Sequence, residues 1–88
     1  MMYYVYILQS LKDKGFYVGY SNDLRERLKL HNLGRITSTK SRRPFKLIYY
    51  EACLNQQDAI RREKYLKSSW GKKYIKNRLK FYLTGFTP

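Results

Sequence analysis

Two segments decide the fold: Tyr3-Tyr4-Val5-Tyr6-Ile7-Leu8, and then Gly15-Phe16-Tyr17-Val18-Gly19-Tyr20. Both are rich in tyrosine and β-branched residues, and the turn-forming residues Lys12-Asp13-Lys14 lie between them. This pattern predicts a β-hairpin with a loop of several residues. Tyr6 and Tyr17 would share a face of the hairpin if its register pairs them, but the register cannot be read from the sequence.

The rest of the chain extends the hairpin into a small α+β fold. Ser21 or Asn22 is expected to cap the first helix, and Gly34 to stop it. Gly71 is expected to break the chain between the last two helices, with Trp70 beside it as a core anchor rather than a base-stacking platform. The expected elements are strands over 2–9, 16–20 and 45–53, and helices over about 22–32, 55–69 and 72–83. The order β-β-α-β-α-α predicts one domain, residues 1–88, with a three-stranded antiparallel sheet flanked by helices.

The charge balance points to a polyanionic partner. Lys and Arg number 19 and Asp and Glu number 6, which gives a net charge of +13 over 88 residues. A surplus of this size repels itself in the folded protein, and nucleic acid is the commonest reason to tolerate it. The alternatives are a charge that serves solubility and a structural protein of the ribosome.

Cysteine content and hydropathy indicate the cellular compartment of the protein. Cys53 is the only cysteine of the sequence, which excludes an internal disulfide and suits a reducing environment. One cysteine and one histidine do not supply the ligands of a structural zinc site. No apolar stretch approaches the ~18 residues of a membrane span, and the chain does not open on a signal-peptide pattern. The sequence therefore predicts a cytoplasmic protein without membrane association.

The first helix carries two candidate functional side chains. At about 100° per residue, Arg27 and His31 flank the stripe formed by Leu24 and Leu28, and they are neighbours at i,i+4. A guanidinium and an imidazole at the edge of a core-facing stripe can serve catalysis. The alternative is an ordinary boundary helix in which Asp23 pairs with Arg27.

The second helix contains a carboxylate where an apolar residue is expected. Glu63 falls within the stripe set by Ala59 and Leu66, which should face the sheet. A carboxylate there is costly unless it meets a cation, a metal or strong donors. The alternatives are a surface pair with Lys67 and a salt bridge to Arg62 or Arg27.

Taken together, these motifs resemble the GIY-YIG nuclease domain over nearly the whole chain. The first motif is Tyr4-Val5-Tyr6, without the glycine and isoleucine usual in the family, and the second is Tyr17-Val18-Gly19. Residues 22–32 are similar to the arginine helix of the family, 43–51 to its third strand, and 59–64 to its glutamate helix. The chain looks most like small single-domain members, which are similar to the nuclease module of structure-specific repair endonucleases.

The resemblance implies a metal-dependent endonuclease that hydrolyses DNA phosphodiester bonds, with a possible role in repair or recombination. Its implied catalytic residues are Tyr6, Tyr17, Arg27 and His31, with Glu63 as ligand of Mg²⁺ or another divalent cation such as Mn²⁺. Gly19 and Asn77 would support the site. In this scheme a tyrosine orients or deprotonates the attacking water, His31 accepts a proton from a phenol, and Arg27 stabilises charge on the phosphoryl group.

Phosphate contacts are expected outside the catalytic cluster as well. The loop before the third strand offers hydroxyls and four cations, Arg35, Lys40, Arg42 and Arg43. The alternative function is a DNA- or RNA-binding protein that keeps the fold but cleaves weakly. A third possibility is a nuclease that depends on a protein partner for its substrate specificity.

Overall fold

The computed structural model describes residues 1–85. Its elements are β1 (Tyr3–Ser10), β2 (Phe16–Ser21), α1 (Leu24–Asn32), a 3₁₀ turn (Lys40–Arg42), β3 (Phe45–Cys53), α2 (Gln56–Lys67), α3 (Ser69–Arg78) and α4 (Lys80–Thr84). The three strands form one antiparallel sheet in the order β2-β1-β3. The predicted α+β class, sheet and element order are confirmed.

The central strand β1 is apolar on both of its faces. Val5 and Ile7 point to one side and Tyr6 and Leu8 to the other, and all four side chains are buried. A strand with neighbours on both edges and helices on both faces buries side chains on both faces, here along its middle, Val5 to Leu8. This explains why β1 reads as a continuous apolar and aromatic run rather than as an alternating one.

Helices cover the two faces of the sheet separately. Leu24 and Leu28 of α1 pack on the face that carries Tyr6. Ala59 and Leu66 of α2 pack on the opposite face. A fully buried Val, Leu or Ile side chain contributes roughly 1.5–3 kcal/mol. The two apolar clusters therefore hold α1 and the α2–α3 pair to opposite sides of β1.

The boundaries of α1 are set by short-range hydrogen bonds. Its N-cap is Asp23, whose carboxylate accepts a bond of 3.1 Å from the backbone N–H of Glu26. The prediction of Ser21 or Asn22 as the cap was therefore wrong, because the Ser21 hydroxyl accepts instead from the N–H of Asp23. Gly34 ends the helix as predicted, with a left-handed φ of 76° that glycine adopts without a steric cost.

The break between α2 and α3 lies at Ser68 rather than at Gly71. Ser68 is the N-cap of α3, and its hydroxyl accepts a bond from the N–H of Gly71. Gly71 itself is buried inside α3, where a Cβ would overlap the carbonyl oxygen of Tyr65 and the Cα of Leu66. Its role is therefore close packing of α3 against α2. The predicted last helix is also divided in two, at Leu79.

Trp70 is not a core anchor, which corrects the sequence prediction. Its side chain is 69% exposed, and the ammonium of Lys73 lies 5.0 Å from its ring centroid. Trp70 lies roughly 140° around α3 from the buried Ile75, so the two side chains point in nearly opposite directions. Within residues 1–85, no helix combines the length and apolar character needed to cross a bilayer.

Candidate active site

The hairpin register places the two motif tyrosines on the same face. Tyr6 pairs with Gly19 and Leu8 pairs with Tyr17, so all four residues point toward α1. The Tyr6 and Tyr17 ring centroids are 6.4 Å apart. A Cβ at Gly19 would overlap the phenol of Tyr6, so glycine at this position lets the ring lie across β2.

A buried chain of hydrogen bonds starts from the Tyr6 hydroxyl. Tyr6 Oη is 2.8 Å from His31 Nε2, and His31 Nδ1 is 2.8 Å from Thr39 Oγ1. The Thr39 hydroxyl donates to the carbonyl oxygen of Ile36 at 3.4 Å. With that donor used, Thr39 Oγ1 accepts from His31 Nδ1–H, and His31 Nε2 accepts from the Tyr6 hydroxyl. The network thus assigns the Nδ1–H tautomer to His31.

Burial keeps both members of the Tyr6–His31 pair neutral. Removal from water raises the pKa of Tyr6 to about 12, although the nearby Arg27 opposes the rise. Burial, and after it the charge of Arg27, lowers the pKa of His31 to about 4. Both side chains are fully buried, and a low-dielectric environment disfavours either charged form. At neutral pH a phenol therefore donates to a neutral imidazole.

Arg27 adds a cation to the cluster formed by Tyr6 and His31. Part of the hydrogen-bonding capacity of its guanidinium is unused. Its guanidinium lies close enough to the Tyr6 hydroxyl to lower the pKa of that phenol. Its Nε is buried and has no hydrogen-bond partner among residues 1–85. A buried donor without an acceptor costs about 1–3 kcal/mol, and a phosphoryl oxygen would supply the missing acceptor.

Glu63 reaches the cluster from α2. Its carboxylate is among the charges that raise the pKa of Tyr6. Its side chain is 21% exposed and pairs with Lys67 at 3.1 Å. The alternative partner Arg62 instead binds Glu51, with bonds of 2.9 and 3.0 Å. The Lys67 pair was one of the anticipated alternatives, and it coexists with a partly buried position from which the carboxylate acts on Tyr6.

The donor set of this cluster suits a metal ion that keeps much of its water. Within the part of the chain that the structure describes, no three His, Cys, Asp or Glu side chains group closely enough to hold a metal. Mg²⁺ is commonly bound through one or two carboxylates, with water and substrate phosphate as the remaining ligands. Glu63 alone therefore fits such an ion, and the other ligands would come from solvent and substrate.

The cations predicted to contact phosphate differ in how far they are already engaged. Arg35 and Lys40 are exposed. Arg42 binds the Asp13 carboxylate with bonds of 2.8 and 3.3 Å, and this pairing holds the pKa of Asp13 far below its usual range. The Arg43 guanidinium packs over Gly34. Arg35 and Lys40 are thus the freer of the four.

The cluster includes one residue that sequence reasoning missed and omits one that it named. Thr39 lies in the loop whose hydroxyls were expected to contact phosphate, but its side chain is buried against His31. No periodic pattern marks such a position. Asn77 is exposed on α3, and no hydrogen bond within residues 1–85 joins its side chain to Tyr6, Arg27 or His31.

Known proteins match this chain over the segment that contains these motifs. The model of the GIY-YIG catalytic domain family matches residues 2–78. A UPF0213 protein of Clostridium perfringens is 45% identical over 67 residues, which cover 75% of this chain and 71% of that protein. One of Pediococcus acidilactici is 38% identical over 81 residues, covering 85% and 82%. The solution NMR structure of a UPF0213 protein from Bacillus halodurans has a TM-score of 0.52 and 36% identity, covering 85% of this chain and 82% of that one.

Proposed function

Because the chain belongs to the GIY-YIG catalytic domain family, we propose that it is a divalent-metal-dependent endonuclease that hydrolyses DNA phosphodiester bonds. A GIY-YIG domain generally denotes a nuclease, which supports the reaction class and a nucleic-acid substrate. We further propose a cytoplasmic role in repair or recombination. The net charge of +13 supports binding to a polyanion.

One observation carries the proposal: the buried Nε of Arg27, which has no hydrogen-bond partner among residues 1–85, lies beside the Tyr6 phenol. An arginine in this state is prepared for an anion, because bidentate binding of phosphate would satisfy its free donor. The negative charge that develops on a phosphoryl group during hydrolysis would strengthen the same bonds. Arg27 is therefore proposed to stabilise the transition state.

The two tyrosines receive different roles. Tyr6 is fully buried and donates to His31, and its pKa is raised to about 12, so we assign it to positioning His31. Tyr17 is only half-buried. We assign its phenol oxygen to accept a hydrogen bond from the attacking water and to hold that water beside the phosphate.

Glu63 would hold the divalent ion, which when bound polarises the scissile phosphate and stabilises its leaving oxygen. The pairing of Glu63 with Lys67 limits the motion of the carboxylate before substrate arrives. Arg35 and Lys40, both exposed, would bind phosphates beyond the scissile one. Those contacts position the strand without reading its sequence.

The decisive experiment incubates the protein with single-stranded, duplex, flap and branched DNA, with and without Mg²⁺ or Mn²⁺. Glu63→Gln should lower cleavage by orders of magnitude, since each ~1.4 kcal/mol of lost metal stabilisation is a factor of ten. Glu26→Gln, the same change at an exposed position of α1, is the matched control. A Glu63→Gln protein that cuts at the parental rate would end the metal-ligand assignment.

Arginine and tyrosine variants test the remaining roles. Arg27→Lys keeps the charge but loses the Nε donor and the fork geometry, so cleavage should fall while Arg25→Lys, at an exposed position, retains it. Tyr17→Phe should lower kcat with little change in unfolding free energy. Equal activity of the Tyr17→Phe and parental proteins would contradict the role given to that phenol.

The second candidate, a binding protein with little cleavage, is favoured only by the charge balance. If about five cations meet phosphates, log affinity should fall with log salt at a slope of roughly −4 to −5 on duplex DNA. Such a slope without cleavage of any substrate would favour the binding protein. A slope near zero would show that the charge of +13 serves neither function.

A further inference from the structure

A cleft of about 400 Å³ opens between the edge strand β2 and the helix pair α2–α3. Phe16 and Val18 of β2, Leu66 of α2 and Ile75 of α3 give it an apolar floor. We name it the β2–α3 cleft. Its volume lies at the lower end of the range typical of small-molecule sites, and the mechanism proposed above does not use its floor.

The rim of the β2–α3 cleft is basic. Its charged lining residues are Arg42, Lys67, Lys72 and Lys76, and no carboxylate of the described residues, 1–85, lines it. Arg42 and Lys67 already bind acidic partners. Lys72 and Lys76 make no ion pair with any residue of 1–85. An apolar floor with two uncompensated cations above it fits a ligand with a flat apolar face and an attached anion.

The cleft adjoins the candidate active site through two residues. Tyr17 lines the cleft and contacts the catalytic cluster, with its ring centroid 5.0 Å from that of His31. Lys67 stands on the rim and binds Glu63. A polynucleotide with one phosphate at the cluster would therefore place a neighbouring nucleotide at the cleft.

We propose that the β2–α3 cleft binds one unstacked nucleobase of the substrate, with the adjoining phosphate on Lys72 and Lys76. The nature of this ligand rests on the proposed function, which supplies the polynucleotide. A base can present its flat face to an apolar floor only after leaving its own stack. The cleft therefore selects nucleic acid that has an unpaired nucleotide beside the scissile phosphate.

Photo-crosslinking locates the base directly. Glu63→Gln protein without divalent metal is irradiated with a short oligothymidylate that carries one 5-iododeoxyuridine, digested with trypsin and examined by mass spectrometry. We expect the adduct on Phe16 or Tyr17, within the tryptic peptide 15–25. Adducts confined to other peptides, such as the one that carries the exposed Trp70, or absence of any adduct would overturn the proposal.

A charge-matched pair of variants tests the rim. Lys72→Ala/Lys76→Ala should bind the oligothymidylate about tenfold more weakly than the parental protein at fixed salt. The control Lys29→Ala/Lys80→Ala has the same charge change, and its affinity for the oligothymidylate should fall less than about threefold. For a blunt duplex hairpin, the two double variants should lose affinity equally. Equal losses on the single strand would overturn the proposal.

The outcomes for the cleft and for the nuclease can be separated. An adduct in peptide 15–25 together with no cleavage of any DNA by the parental protein would retain the cleft and reject the endonuclease. Metal-dependent cleavage together with unchanged single-strand affinity of Lys72→Ala/Lys76→Ala would retain the endonuclease and reject the cleft.

Discussion

Lowering the pH from 7 to 5 should destabilise the protein through His31. Burial lowers the pKa of this imidazole from 6.5 to about 4. Between pH 7 and pH 5, His31 therefore binds a proton in the unfolded chain but not in the native protein. Stability linked to His31 is fully present above about pH 6.5 and is lost as the pH falls toward 4. From these two values the loss between pH 7 and pH 5 is about 2 kcal/mol.

Urea denaturation followed by circular dichroism measures this loss. For a chain of this size, about 2 kcal/mol corresponds to a shift in the midpoint of roughly 1–2 M urea. The matched variant His31→Gln keeps polar groups at the site but does not titrate, so its midpoint should change far less over the same range. Few carboxylates titrate above pH 5, so most of the difference in slope between the two proteins belongs to His31.

A second measurement does not require the His31→Gln variant to fold. The sequence has a single histidine, so NMR titration of the parental protein reports this imidazole without assignment ambiguity. We expect the imidazole resonances to report a neutral ring down to below pH 5, with its proton on Nδ1. A titration midpoint near 6.5, or equal pH slopes for the parental and His31→Gln proteins, would refute the reasoning from burial.

Further substitutions test contacts elsewhere. Gly19→Ala should cost about 1–3 kcal/mol for overpacking against Tyr6, measured by thermal unfolding, and an unchanged Tm would contradict the close approach. Thr39→Val should cost about 1–3 kcal/mol in denaturant and Thr39→Ser less than about 1, with only the former changing the histidine tautomer seen by ¹⁵N NMR. Gly71→Ala should lower stability by a similar 1–3 kcal/mol by forcing α3 from α2. Trp70→Ala should stay within about 0.5 kcal/mol, and iodide should quench the parental tryptophan emission freely.

The sequence predicted the elements well where local signals agreed with burial. The third strand, Phe45–Cys53, matches the predicted bounds, because an apolar and aromatic run begins after Pro44 and ends before the cap residue Asn55. The end of α1 was found for a similar reason, since Gly34 supplies a left-handed conformation that other residues rarely adopt. These signals act over a few residues and need no knowledge of the tertiary structure.

The predictions that were wrong concern features that depend on contacts between residues far apart in the sequence. Gly71 was taken as a helix breaker, but its lack of a side chain serves packing against α2. The break itself depends on the Ser68 cap, which is a weaker local signal than glycine. Trp70 was placed in the core because it lies near the expected bend between helices, and the helical phase set by Ile75 turns it outward. The face of a helix that meets the sheet is decided by packing, which composition does not reveal.

The candidate site shows the same division. Helical spacing alone brought Arg27 and His31 together, because residues at i,i+4 are neighbours in any helix. The meeting of Tyr6 with Gly19 required the register of the hairpin. Thr39 required the path of an aperiodic loop back to the imidazole. Spacing can therefore propose members of a site on one element, but only the fold shows which loop residue completes it.

The geometry also bears on where a proton can go within the cluster. The pKa of Tyr6 is about 12 and that of His31 about 4, a gap of 12 − 4 = 8 pKa units. Moving the proton from the phenol to the imidazole would cost on the order of 10 kcal/mol before the attraction of the resulting ion pair. Before substrate binds, this gap disfavours His31 as the proton acceptor that the resemblance implies. We therefore propose that the Tyr6–His31 bond holds two neutral rings in place and that charge on the phosphoryl group is stabilised by Arg27.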